Sequence, residues 1–165
     1  MPGGMKDQMM TTVNHANESA LTEYVTATIG DQLFGLPISR VQDVFKPERL
    51  TRVPLASNDI AGVLNLRGRI VTAIDMRARL KLPRGEAGRP PMAIGVELRG
   101  ESYGLLIDSI GEVMKLPDEG REVNPANLDL RMAELSAGVY RLDGQLMVVL
   151  DVDRVLEIGP DKLAA

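Results

Sequence analysis

The chain has 165 residues, of which 44% are hydrophobic and 25% charged, which predicts a soluble globular protein with one shared core. Its 19 basic and 23 acidic residues give a net charge of −4, a balance that disfavours binding to nucleic acid or anionic lipid. Cysteine is absent, which excludes disulfides, thiolate catalysis and cysteine-based zinc sites. Neither a membrane-spanning apolar run nor a signal-peptide pattern is present, so we expect a cytoplasmic protein.

The first predicted feature in chain order is a flexible N-terminal tail over residues 1–20. This stretch is rich in Gly, Met, Thr and Asn without apolar periodicity, and it contains the single histidine, His15. Since chain termini are usually solvated, we interpret His15 as a tail residue and not as a catalytic base.

Short alternating segments typical of β-strands follow the tail. Apolar and polar side chains alternate on both sides of a turn at Gly30-Asp31. Residues 83–91 are rich in Pro and Gly and predict a linker, after which the same alternation returns. We therefore expect one domain over residues 21–159, made of two β lobes, and a C-terminal tail at 160–165.

The two predicted lobes resemble each other in sequence. Residues 34–46 align without a gap with residues 103–115, and residues 61–68 align with residues 137–144. Glycines recur at matched positions, which chance rarely produces because glycine marks backbone positions that other residues tolerate poorly. The fold class is therefore mainly all-β, with two pseudo-repeated lobes whose apolar faces pack together.

A few short helices complete the predicted elements. The second alignment continues through Asp75 over Asp151, and both carboxylates are predicted N-caps. The helices that they begin are expected over residues 76–82 and 151–158, and a third is expected over residues 128–135.

The sequence offers little for catalysis. Two apolar residues precede Asp108-Ser109 as in an aspartic-protease loop, but Ile110 stands where that loop needs glycine. A small β-barrel hydrolase would have to pair Asp108 with Asp75 or Asp151, and each of these carboxylates is also explained as a cap or a strand end. We expect no enzymatic activity, no cofactor and no metal site.

Several motifs occur in a fixed order through the chain. They are residues 41–44, Val53-Pro54, residues 63–71 with the run Asn-Leu-Arg-Gly, Ile74-Asp75 and residues 103–108. Together they resemble the signature of the CheW family of chemotaxis coupling proteins, over roughly residues 23–159. The run Asn-Leu-Arg-Gly is specific in this context and would be weak alone.

This resemblance implies a fold and a function. CheW proteins consist of two intertwined five-stranded SH3-like β-barrels and are not enzymes. They couple the cytoplasmic tips of methyl-accepting chemoreceptors to the histidine kinase CheA, whose regulatory domain is similar to them. The expected partners are the receptor tip, CheA and further CheW copies in arrays, without nucleic acid or membrane insertion. The expected location is the cytoplasm, at membrane-associated receptor arrays.

The resemblance also implies two contact surfaces. An apolar groove would receive a receptor helix, and the matching receptor-binding positions are Val25, Ile38, Val41, Asp43, Val44, Arg67 and Ile110. The surface that the family uses against CheA matches Ala61, Gly62 and Ile70.

Most of these residues also have a structural interpretation. The apolar receptor-surface positions are equally well explained as core. Asp43 has Glu112 as its counterpart in the second repeat, so both acids are also explained as solvated strand ends. Gly62 recurs as Gly138, which favours a backbone role, and Ala61 stands where many relatives carry a polar residue.

The prediction for Arg67 is the most specific of these. It is followed by Gly68 in a turn that we expect the second repeat to build in the same way from Asp143-Gly144. A cation in one turn and an anion in the other favour a role for the Arg67 charge outside the fold, although a plain turn residue is the competing interpretation.

Three other identities compete with a coupling protein. The chain could be the CheW-like part of a CheA or CheV protein, but residues 23–164 leave no room for a kinase core or a receiver domain. It could serve a non-flagellar chemosensory pathway. It could also bind an unrelated helical ligand.

Overall fold

A computed structural model describes residues 20–85 and 90–158. The predicted tails, apart from Ala20, and part of the predicted linker lie outside the described residues. The described strands are β1 (Leu21–Ile29), β2 (Gln32–Pro37), β3 (Val41–Phe45), β4 (Ile60–Leu66), β5 (Arg69–Asp75), β6 (Met92–Leu98), β7 (Glu101–Ile107), β8 (Ser109–Pro117), β9 (Ser136–Leu142) and β10 (Gln145–Leu150). The described helices are α1 (Met76–Arg79), α2 (Leu130–Leu135) and α3 (Val152–Val155), with single 3-10 turns at Ile38–Arg40 and Asp118–Gly120.

The strands form two five-stranded sheets that share both halves of the chain. The first sheet has the order β8-β1-β2-β10-β9 and the second has the order β3-β6-β7-β5-β4. Each sheet therefore takes strands from before and after residues 83–91. The predicted intertwined, mainly β fold is confirmed.

A pair of backbone hydrogen bonds closes each sheet into a barrel. After β3, Thr51 exchanges two bonds of 2.8 Å with Val63 of β4, the strand at the opposite edge. After β8, Glu122 does the same with Val139 of β9, at 2.8 and 2.9 Å. Closure leaves neither sheet with two free edges, so we call them the first and the second barrel.

Gly62 and its counterpart Gly138 make this closure possible. Their φ angles are 155° and 127°, in a region that side chains rarely adopt. A Cβ atom on Gly62 would lie 2.6 Å from the carbonyl oxygen of Thr51, and one on Gly138 would lie 3.0 Å from that of Glu122. The backbone role suggested by the repeat therefore accounts for both glycines.

The strand registers agree with the sequence repeat. In the first barrel β10 runs parallel to β2, with Met147 opposite Leu33. In the second barrel β5 runs parallel to β7, with Val71 opposite Ser102. These two pairs are related by the same offsets as the aligned sequence segments, so the two repeats are structural equivalents.

The helices are shorter than predicted, although their caps are correct. The side chains of Asp75 and Asp151 each accept a hydrogen bond of 3.2 Å, from the backbone amides of Ala78 and Arg154. The expected helix over 76–82 ends at Arg79, because Lys81 turns left-handed with φ 57° and the last carbonyls accept bonds in a Schellman arrangement.

The other two helix predictions also change at their ends. The segment expected over 128–135 begins at Leu130, since Asp129 is its N-cap. The segment expected over 151–158 has its helix at Val152–Val155. In the described part of the chain no helix is long and apolar enough to cross a membrane.

The core has three parts. The largest cluster contains residues of both barrels and buries side chains from all three helices, such as Met76, Leu135 and Val155. Two smaller clusters each draw on one barrel, around Tyr140 in the first and Phe45 in the second. The largest core cluster is therefore shared by the two barrels and packs them against each other.

Candidate functional site

The turn between β4 and β5 holds Arg67 in an unusual backbone conformation. Arg67 and Gly68 have φ angles of 52° and 85°, the pattern of a type I′ hairpin turn. The side chain of Asn65 stabilises it by accepting a 2.9 Å hydrogen bond from the Gly68 amide. Asp143 does not have a positive φ. The two turns therefore differ in backbone conformation, and the prediction that they are built in the same way is wrong.

The turn brings Arg67 next to Asp43, another predicted receptor-surface residue. A guanidinium nitrogen of Arg67 lies 3.9 Å from a carboxylate oxygen of Asp43. The Arg67 side chain is 79% exposed, whereas that of Asp43 is 24% exposed. The two residues therefore form a weak ion pair between an exposed guanidinium and a partly buried carboxylate.

Asp43 is held by its strand rather than solvated at a strand end. It lies opposite Gly95 of β6, just after an irregularity in the β3–β6 register. Any side chain on Gly95 would collide with the Asp43 carboxylate. Glu112, the counterpart of Asp43, is exposed, so the two acids differ in their surroundings.

The apolar receptor-surface residues divide by burial. Ile38 and Val44 are 43% and 41% exposed. Val41 and Ile110 are half-buried and pack against the largest core cluster, and Val25 is buried. Ile38 and Val44 therefore present apolar side chains to solvent, while the other three pack wholly or partly into the core.

Val113 is another exposed apolar residue, and it is not among the predicted contact residues. Val113 on β8 is 51% exposed and lies opposite Val25 on β1. It is the counterpart of Val44 in the aligned repeat, so the repeat itself was the signal that could have identified it.

The three residues predicted to contact the kinase lie along β4 and β5. Gly62 is buried and Ala61 is half-buried against the core of the second barrel. Ile70 is 64% exposed and lines a groove of about 590 Å³ with Glu48, Arg49, Thr51, Val63, Leu64 and Asn65. Of the three, Ile70 alone presents a large apolar side chain to solvent.

The carboxylates considered for hydrolysis are engaged in structural contacts. Arg77 donates to both oxygens of Asp108, at 3.0 and 2.5 Å, and the Gly30 amide donates to the same carboxylate at 2.8 Å. The hydrogen bonding between Arg77 and Asp108 raises the pKa of the Arg77 guanidinium. Asp75 and Asp151 are helix caps, as described above. Within the described residues, no group of three or more His, Cys, Asp or Glu side chains could hold a metal ion.

Two closed barrels with intertwined strands and an exposed set of apolar and charged side chains define a β-barrel binding domain. Residues 23–158 match the family model described as the CheW-like domain. The chain belongs to the CheW-like family.

Named relatives agree with this assignment over nearly the whole domain. The chain is 26% identical over 141 residues to the chemotaxis protein CheW of Helicobacter pylori, covering 86% of this chain and 84% of the relative. It is 28% identical over 137 residues to the chemotaxis protein CheW of Treponema pallidum, covering 81% of each. The crystal structure of the scaffolding protein TtCheW from Thermoanaerobacter tengcongensis superposes with a TM-score of 0.74 at 26% identity, covering 84% of this chain and 89% of that one.

Proposed function

We propose that this chain is a non-catalytic adaptor that couples chemoreceptors to the histidine kinase CheA. The observation that carries the proposal is the family match across residues 23–158, which includes both barrels and both candidate surfaces. The named relatives are chemotaxis proteins, and the solved one is called a scaffolding protein. A cytoplasmic location at membrane-associated receptor arrays follows from this role.

The receptor surface that we propose is centred on the Asp43–Arg67 pair. The exposed side chains of Ile38 and Val44 would pack against the apolar edge of the receptor helix tip. Because Arg67 is 79% exposed and its contact with Asp43 is long, its guanidinium has donors left for carboxylates or backbone carbonyls of the receptor.

The kinase surface that we propose is the groove beside Ile70. An exposed isoleucine near the start of β5 suits contact with another apolar barrel, such as the regulatory domain of CheA. Ala61 and Gly62 would shape this surface through the backbone and the packing beneath it, since neither is exposed.

Co-sedimentation with a receptor signalling domain and CheA tests the proposal. The chain is expected to sediment with both partners together and to increase the amount of CheA bound to the receptor. Arg67→Asp should weaken this complex, whereas Arg99→Asp should not. Arg99 is a matched control because it is also exposed in a hairpin turn, with φ 52° followed by Gly100 at φ 80°. Absence of any ternary complex with the wild-type chain would contradict the proposal.

A further inference from the structure

The two halves of the chain complete each other's barrels. We call residues 20–85 the first half and residues 90–158 the second half. Four strand pairs join them, namely β1 with β8, β2 with β10, β3 with β6 and β5 with β7. Neither half contains all strands of either barrel.

Because the halves are structural repeats, the backbone alone does not determine which half pairs with which. Each half has the same order of strands and the same parallel and antiparallel edges. A half could in principle pair with a second copy of itself and close two barrels with the same hydrogen bonds. Side chains at the contact must therefore select the unlike pair.

Arg79 lies where one repeat contacts its own counterpart. The alignment of Asp75 with Asp151 places Arg79 over Val155. The Arg79 side chain donates to the backbone carbonyl of Val155 at 2.9 Å, and also to those of Arg154 at 2.9 Å and Glu157 at 3.2 Å. This contact between equivalent positions marks the pseudo-twofold axis that relates the halves.

A buried arginine on this axis distinguishes the unlike pair from both like pairs. Arg79 is 7% exposed, and burial lowers its pKa. Two first halves would bring two buried Arg79 guanidiniums together, which is unfavourable because two like charges would share one desolvated contact, with only Asp59 of each half, 3.9 Å from the guanidinium, to offset them. Two second halves would place Val155 against Val155 and remove the arginine that donates to the carbonyls of Val155 and Glu157.

Two ion pairs beside the axis have opposite polarity. Arg77 of the first half binds Asp108 of the second half, and Asp153 of the second half binds Arg40 of the first half at 2.8 Å. Asp153 is the counterpart of Arg77, and Arg40 is the counterpart of Ser109, next to Asp108. Pairing two first halves would set arginine against arginine, and pairing two second halves would set aspartate against aspartate.

We propose that these contacts make the surface between the halves a heterotypic recognition surface. Each half binds the unlike half and rejects a second copy of itself. Arg79 with its carbonyl partners makes the central contribution to this selectivity, and the two ion pairs of reversed polarity contribute on either side of it. Pairing is thus encoded in the surface and does not depend on the peptide link through residues 86–89.

Cleavage of the folded protein tests this proposal. A protease recognition sequence replaces residues 86–89, the purified protein is cut, and the cut protein is unfolded in urea and refolded. Native mass spectrometry should then detect a complex with one copy of each half and no complex of two like halves. Separation of the halves after cutting, failure of the cut wild type to re-form the one-to-one complex, or recovery of like pairs would overturn the proposal.

A variant that copies the second half tests the named contacts. Arg77→Asp with Arg79→Val gives the first half the residues found at Asp153 and Val155. After cutting and refolding, this variant should form pairs of two first halves, since the new carboxylate at position 77 faces Arg40 of the other copy. Exclusive recovery of the one-to-one complex would show that these residues do not select the partner.

The exposed ion pair provides a second variant that does not depend on the buried arginine. Asp153→Arg should weaken the one-to-one complex by about two- to fivefold, the effect of a surface ion pair. Arg40→Asp combined with Asp153→Arg restores opposite charges and should recover most of the affinity. A double variant no tighter than the single one would refute the role given to this pair, whether or not the cut Arg77→Asp, Arg79→Val protein refolds.

Discussion

Replacing Arg67 by aspartate separates a role in binding from a role in the turn. The change removes the Arg67–Asp43 ion pair and sets a new carboxylate near Asp43. The cost to the free energy of unfolding is about 1 kcal/mol or less, because the Arg67 side chain is 79% exposed. Aspartate tolerates the left-handed backbone at position 67 better than arginine does, which offsets part of this cost.

The effect on receptor binding should be larger. A hydrogen bond to a charged group contributes roughly 1.5–3 kcal/mol, which is about a ten- to hundredfold change in affinity. For a domain of this size, about 1 kcal/mol of stability moves the melting temperature by only about 2–4 °C. The expected signature is therefore a nearly unchanged melting temperature together with at least a tenfold loss of receptor affinity and of kinase activation.

Three comparison variants sharpen this test. Arg67→Asn introduces the Asn-Gly pair that this turn favours and should match the wild type in stability while still losing coupling. Arg67→Lys should recover part of the activity, because an ammonium lacks the planar fork of a guanidinium. Arg99→Asp makes the same charge change in an equivalent turn and should leave coupling intact. If folded Arg67→Asp protein activates CheA with receptors as well as the wild type does, Arg67 is a turn residue and the site assignment is wrong.

The remaining predictions concern the tail, the apolar surface and the contact between α1 and α3. Deletion of residues 1–19 should leave the melting temperature and receptor binding unchanged; a large drop in either would show that the tail contributes to them. Val44→Asp should fold and lose at least tenfold in receptor affinity, since Val44 is 41% exposed. Val41→Asp should lower the melting temperature as well because Val41 packs on the core, and equal stability of the two variants would contradict the burial argument. Arg79→Met should cost about 1–3 kcal/mol in urea unfolding through loss of its three carbonyl contacts, and an unchanged urea midpoint would contradict that account.

Much of the fold could be predicted because the same sequence pattern occurs in both halves of the chain. Matched glycines identified the repeats, and the resemblance then implied intertwined barrels. The pairing of β2 with β10 could not be derived from either repeat alone, since it joins residues more than a hundred positions apart. The end of α1 was predicted wrongly for a local reason. Lys81 adopts a left-handed conformation, which lysine rarely does, so its residue type gave no sign of the helix end.

The arrangement of the predicted site residues could not be derived from the sequence. Nothing in the sequence sets Asp43 beside Arg67, because that contact depends on how β3 and the β4–β5 turn meet in the closed barrel. Burial was equally hidden for Val25 and Val41, since the alternation of a strand does not reveal which of its faces meets the other barrel. The repeat pairs Val113 with Val44 and so could have added it to the predicted residues, but its 51% exposure is seen only in the structure.

The autophosphorylation rate of CheA shows whether this chain connects receptor and kinase. Purified CheA is combined with receptor-containing membranes, and the chain is titrated from zero to a molar excess over CheA. Kinase activity should rise with the chain only when receptor is present, an attractant should reverse the rise, and Arg67→Asp should weaken it while Arg99→Asp should not. A CheA rate that is independent of the chain at every concentration, with folded protein and active receptor, would rule out a coupling role.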